Sequence, residues 1–93
     1  MEITQDLCIK IESMAKRFVP ASEMAALLDI DEDELKLAIS THGSPARRAY
    51  MAGMAKSADN IRTTNIELAE AGTPEAIRNC FSSIQRMIND LSE

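Results

Sequence analysis

Asp29, Asp31, Glu32, Asp33 and Glu34 place five carboxylates within six residues, the densest group of possible ligands in the chain. Asp29, Asp31 and Asp33 match the first, third and fifth ligands of an EF-hand calcium loop. That loop also needs Gly at its sixth position and a bidentate Glu at its twelfth, and here those positions are Glu34 and Ser40, so calcium binding is not expected. His42 and Ser44 could form a base and nucleophile pair, but no third group orients them, and Ser44 before Pro45 reads as a helix cap. Cys8 and Cys80 lack CxxC spacing and share the chain with a single His, which predicts two buried free thiols rather than a disulfide or metal site. Gly43, Gly53 and Gly72 are isolated, so there is no phosphate-cradling loop, and Phe18, Tyr50 and Phe81 are too few for a base-stacking platform. These absences point away from an enzyme, a cofactor or a metal.

The groups left with possible chemistry are cations and hydroxyls that could meet phosphate: Lys36, Ser40, Arg47 and Arg48. The elements that would position them follow from the spacing of apolar residues. From Ala21 onward, Met24, Leu28, Ile30, Leu35 and Ala38 occupy positions four, eight, ten, fifteen and eighteen, and small Ala25 is at position five. This is the spacing of a helix-turn-helix. Its ninth position usually holds a left-handed Gly, and here it is Asp29, one of the few other types that visit that region readily.

Upstream, Ile3, Leu7, Ile11, Met14 and Phe18 form one apolar stripe and predict a first helix over about Thr4 to Phe18, stopped by Val19-Pro20. A short second helix runs to Leu28. Asp31 with Glu34 three residues on forms a capping box, so a third helix covers about Glu32 to Ser40. After the linker Thr41-His42-Gly43-Ser44, a long helix starts at Pro45 and reaches about Ala71, roughly 40 Å at 1.5 Å per residue, with Gly72 as its cap. Thr73-Pro74 opens a fifth helix to about Leu91.

The fifth helix carries Ile77, Phe81, Ile84, Ile88 and Leu91 on one stripe, widened by Cys80 and Met87. Ala46, Tyr50, Met54, Ile61 and Leu68 on the fourth helix are expected to receive it. The connection is short, which folds the two into an antiparallel hairpin. A second strip on the fourth helix, Met51, Ala55, Ala58, Ile66 and Ala69, is left for another partner, either the helix-turn-helix unit or, the expectation taken here, a neighbouring subunit of a homo-oligomer. The expected architecture is therefore all-α: an N-terminal three-helix helix-turn-helix head over residues 1–43, then a long antiparallel helical hairpin over 44–93.

Ninety-three residues can support one modest core or two small helical units, and a chain this short buries only about 60 to 65% of its unfolded surface. Residues 1–43 hold nine acids against four bases, 44–71 three against four, and 72–93 three against two. No segment is strongly basic. Tight autonomous binding to nucleic acid depends on Lys and Arg displacing counterions, so any duplex affinity must come from several copies acting together. The opening MEITQD lacks the layout of a signal peptide and no apolar run approaches 18 residues, which gives the expectation of a cytoplasmic protein with no membrane partner.

The stretch from Ser44 to Ile77, with Pro45, Tyr50 and Gly53 opening the long helix and Leu68-Ala69, Gly72 and Pro74 at its turn, resembles the region after the helix-turn-helix in small terminase subunits of tailed phages and prophages. Together with VPASEMAALLDIDEDELKLAIS the resemblance covers about Val19 to Ile77. It implies a non-enzymatic DNA-packaging factor that forms a ring-like homo-oligomer, holds duplex DNA and presents it to a large motor subunit with nuclease activity. The groove-facing positions of that family fall on Asp31, Glu32 and Asp33, then on Lys36 and Ser40. A different class of function fits the acidic charge: a protein-interaction module whose head meets a basic partner and no nucleic acid.

Overall fold

Local signals start each helix. The computed structural model describes residues 2–91, which form five helices and no strand. They are α1 (Gln5–Lys16), α2 (Ala21–Leu28), α3 (Glu32–Ser40), α4 (Pro45–Glu70) and α5 (Pro74–Leu91). Thr4 Oγ1 accepts from Leu7 N–H at 3.1 Å, Asp31 Oδ2 from Glu34 N–H at 2.9 Å, and Ser44 Oγ from Arg47 N–H at 3.0 Å. Each bond satisfies a backbone donor that the first helical turn leaves open. Pro45 and Pro74 fill first positions that have no N–H to lose.

Three helices stop in the same way. The residue after the last turn is left-handed, and its own N–H and that of the next residue return to helix carbonyls. At Gly72 (φ 93°) the bonds are Gly72 N–H to Ala69 O and Thr73 N–H to Leu68 O. At Asp29 (φ 54°) they are Asp29 N–H to Ala26 O and Ile30 N–H to Ala25 O. At Phe18 (φ 59°) they are Phe18 N–H to Ala15 O and Val19 N–H to Met14 O. Phe18 thus leaves the apolar stripe assigned to it, and its side chain is 54% exposed. A left-handed L-residue costs about 1–2 kcal/mol. Pro20 accounts for the early stop, because its ring cannot continue a helix and it restricts Val19 before it.

The chain divides into two compact units, one ending at Ser57 and one beginning at Ala58. The division falls inside α4, beyond the Gly43 linker at which the apolar pattern alone separates head from hairpin. In the first unit the core is Ile11, Ala15, Met24, Ala25, Leu35, Ile39 and Ala46, with Ile3, Leu7, Met14, Leu28, Ile30 and Tyr50 among the half-buried residues around it. Ile11, Met24 and Leu35 are fully enclosed, each contributing about 1.5–3 kcal/mol of apolar burial.

Ala46 and Tyr50 therefore belong to this core, not to the contact with the fifth helix that their spacing predicts. The reason is Gly53. It is buried against α1 so closely that an added Cβ would stand 2.3 Å from Glu12 O and 2.9 Å from the Ala15 Cβ. Around that crossing, Lys56 Nζ lies 3.3 Å from Glu12 Oε1, and Ser57 Oγ donates to Lys16 O at the end of α1. Both cysteines are free and half-buried rather than fully enclosed.

In the second unit Ala76 is the one buried hydrophobic residue among those described. Ile61, Ile66, Leu68, Ile77, Phe81, Ile84, Met87, Ile88 and Leu91 are all exposed by a third of their surface or more. The last turns of α4 and the face of α5 border a groove of about 550 Å³, lined by Arg62, Asn65, Ile66, Cys80, Ile84 and Met87 among others. No helix among the described residues is long and apolar enough to cross a membrane.

Substituting Gly53→Ala is expected to destabilise the chain by about 1–3 kcal/mol through overpacking. A urea titration reads this as a lower midpoint at unchanged slope; an unaltered midpoint would mean that α1 and α4 do not approach so closely.

Candidate functional site

The side chains with possible chemistry gather at α3 and at its junction with α4. Met24, Ala25 and Leu35 anchor the α2–α3 corner from inside, with Leu28, Ile30 and Ala38 half-buried around it. The left-handed Asp29 turns the chain between the two helices. Asp33, Lys36, Leu37 and Ser40 are exposed on α3.

Lys36 Nζ is 3.3 Å from Glu32 Oε2, one turn earlier, and both side chains are half exposed. Such a surface pair on a helix holds only about 0.3–0.5 kcal/mol, so the ammonium can exchange Glu32 for an incoming anion at little cost. Asp31 is occupied as the cap of α3. Glu32, Asp33 and Glu34 in the first turn gain from the positive end of the helix dipole, about 0.3–1 kcal/mol each at the surface. A phosphate brought to that same end would meet these carboxylates first. Among the described residues no group of three or more His, Cys, Asp or Glu is placed to hold a metal ion, although the acids are close in sequence.

Arg47 and Arg48 are used differently from what their position in the sequence predicts. The last carbonyls of a helix have no partner within it. At the end of α3, Thr41 Oγ1 donates to Leu37 O at 2.7 Å, Ser44 Oγ donates to Ala38 O, and Arg47 Nη1 donates to Ile39 O at 3.2 Å. Three successive carbonyls thus receive three side chains from the linker and the first turn of α4. Arg48 Nη2 reaches Gly43 O at 3.3 Å in an exposed bond. Arg47 is half-buried and clasps α3 to α4, whereas Arg48 and Lys36 remain at the surface. Ser44 is legible as a cap from its place before Pro45, whereas its second bond and the burial of Ile39, whose carbonyl holds Arg47, leave no signal in the spacing.

No protein-family model, no curated protein and no solved structure matches the chain.

The α4 strip falls on both sides of the division between the units. Met51 and Ala55 are exposed in the first, while in the second Ile66 is exposed and Ala58 and Ala69 are half-buried. Ile66 borders the groove beside α5. A second hollow, of about 210 Å³ in the first unit, is lined by Ala15, Phe18, Val19, Pro20, Tyr50 and Met54.

Replacing Ser44 by Ala removes both the cap of α4 and the donor to Ala38 O, with an expected loss of about 1–2 kcal/mol. Arg48→Ala breaks only an exposed bond and should stay within about 0.5 kcal/mol. Denaturant titrations of the two variants give the comparison; equal losses would show that the clasp at the end of α3 does not matter to stability.

Proposed function

We propose that the chain is a non-enzymatic adaptor of the small-terminase kind, in which α1–α3 form a helix-turn-helix head and the later turns of α4 fold with α5 into an antiparallel hairpin. Several copies would hold one DNA duplex and present it to a motor or nuclease partner. The observation that carries this reading is the corner at Asp29: a left-handed turn with Met24, Ala25 and Leu35 buried beneath it and Lys36 and Ser40 presented on the following helix.

Each head supplies few cations to a duplex. Lys36 and Arg48 lie at the surface near one another in sequence, and Arg47 reaches phosphate only by giving up Ile39 O. One head with two such contacts binds weakly, with a log–log salt slope of only about −2. Copies tied together turn later contacts into intramolecular ones, raising affinity by factors of roughly 10²–10⁴ with no new chemistry. Multiplicity is thus a requirement of the proposal, and Met51, Ala55, Ala58, Ile66 and Ala69 are its candidate contacts between subunits.

A second reading is favoured by one observation. Leu37 is 69% exposed on α3, with Asp33 and Glu34 one turn before it. An apolar side chain flanked by acids suits a basic helical segment of another protein better than a phosphate backbone.

Retardation of a duplex in low salt separates the two. The adaptor reading expects binding that weakens in Lys36→Ala, with a shallower dependence on salt, and strengthens in Asp33→Lys. Absence of binding by the wild-type chain and by Asp33→Lys at low salt would leave the protein-interaction reading.

A further inference from the structure

Many of the hydroxyls and guanidinium groups of this chain are committed to its own backbone. Ser44, Ser57, Thr63 and Thr64 each donate to a carbonyl, and Arg47 and Arg48 each reach one as well. The groove of about 550 Å³ between the last turns of α4 and α5 is bordered by polar groups that are not. Asn65 and Ser83 are half-buried on its walls, and neither side chain makes a hydrogen bond among the described residues. A hydroxyl inside a helix can turn back to the carbonyl one turn earlier, as those of Thr63 and Thr64 do, and Ser83 does not. Arg86 has no ion pair among the described residues, and Arg62 only approaches Asp59 at 3.9 Å in an exposed pair.

The geometry points to this groove as a binding site for a small amphipathic anion, a free aliphatic carboxylate of medium chain length. The carboxylate is held between the guanidinium groups of Arg62 and Arg86, and the chain lies along Ile66, Ile84 and Met87. This goes beyond the duplex reading, since neither arginine is among its phosphate contacts.

Three observations select the ligand. The volume falls within the range of about 300–1,000 Å³ usual for small-molecule sites, which pair apolar walls with a few convergent polar groups. The charge of the lining is positive, two arginines against Asp90, in a chain whose net charge is −5, so the groove attracts an anion and repels a cation or metal ion. The third observation is the mixture of donors with apolar surface. A guanidinium presents a planar fork of N–H groups that meets a carboxylate in two parallel bonds, and Asn65 and Ser83 supply further donors. An inorganic anion or a phosphate backbone leaves Ile66, Ile84 and Met87 in water, where they are now half exposed or more, whereas an aliphatic chain covers them. A membrane surface is a poorer match, because it favours a polar face rich in Lys and Arg, and α5 sets Arg78 and Arg86 against Glu75 and Asp90.

Cys80 on the groove wall and Cys8 in the first unit are both free and half-buried, which provides an internal control. The full chain is titrated with decanoate while alkylation by iodoacetamide is followed separately at each cysteine by peptide mass. Decanoate is expected to slow the reaction of Cys80 by at least roughly 3-fold at saturation and to leave Cys8 unchanged, with half-protection below about 1 mM. Arg62→Gln and Arg86→Gln should each raise the half-protecting concentration roughly 5- to 10-fold, as loss of a charge-assisted bond at an exposed position does. Both arginines are exposed, so these variants keep the fold; Arg78→Gln, outside the groove lining, should bind as the wild type does. Protection by decanol at the same concentration would overturn the site by showing an apolar hollow without anion recognition, and protection by acetate would do so by showing that the chain is not bound. Equal slowing at both cysteines, wild-type affinity in both arginine variants, or no protection at about 1 mM decanoate would overturn it as well.

Discussion

The approach of α4 to α1 at Gly53 is the contact on which the first unit depends. No side chain can stand there, because Glu12 O and the Ala15 Cβ already occupy the space a Cβ would take. With that gap closed, Ala46 joins the core that holds Ile11 and Met24, Tyr50 packs against that core, and Ser57 reaches the carbonyl of Lys16. The long helix is thereby committed over its first three turns to the three short ones.

This division of one helix between two units explains why the chain carries so much uncovered apolar surface. The first unit encloses three large side chains completely, and among its described residues the second encloses none. Burial of about 25 cal/mol per Å² must offset roughly 1–2 kcal/mol of backbone entropy for each residue ordered, and the second unit contributes little toward that. An amphipathic helix in this situation derives its order from whatever covers it.

Electrostatics divide the first unit in a similar way. The first turn of α3 is acidic for a reason internal to the fold, since carboxylates suit a helix N-terminus. Its last turn is held by hydroxyls and by Arg47, which suit the carbonyl end. The cations that could face a ligand are then those whose structural bonds are weakest, Lys36 and Arg48. Any anion bound at α3 must approach away from Asp31, Glu32 and Asp33.

Much of the local structure was legible in the residues. Caps at Asp31 and Ser44, prolines at the starts of α4 and α5, and Gly72 at the turn fixed helix limits to within about two residues, because these signals act over a single turn of chain; the cap at Thr4 emerged only in the structure. Asp29 was readable as a left-handed residue for the same local reason. Phe18 was not, since its stripe position and the coming Pro20 compete, and the bonds closing the helix decided for the proline. Periodicity told which residues of α4 are apolar but not which neighbour takes them. That choice, together with the recruitment of Arg47 into the fold, was made by long-range packing: Gly53 admits α1 and the Ile39 carbonyl admits a guanidinium, and neither encounter leaves a mark in the spacing of the sequence.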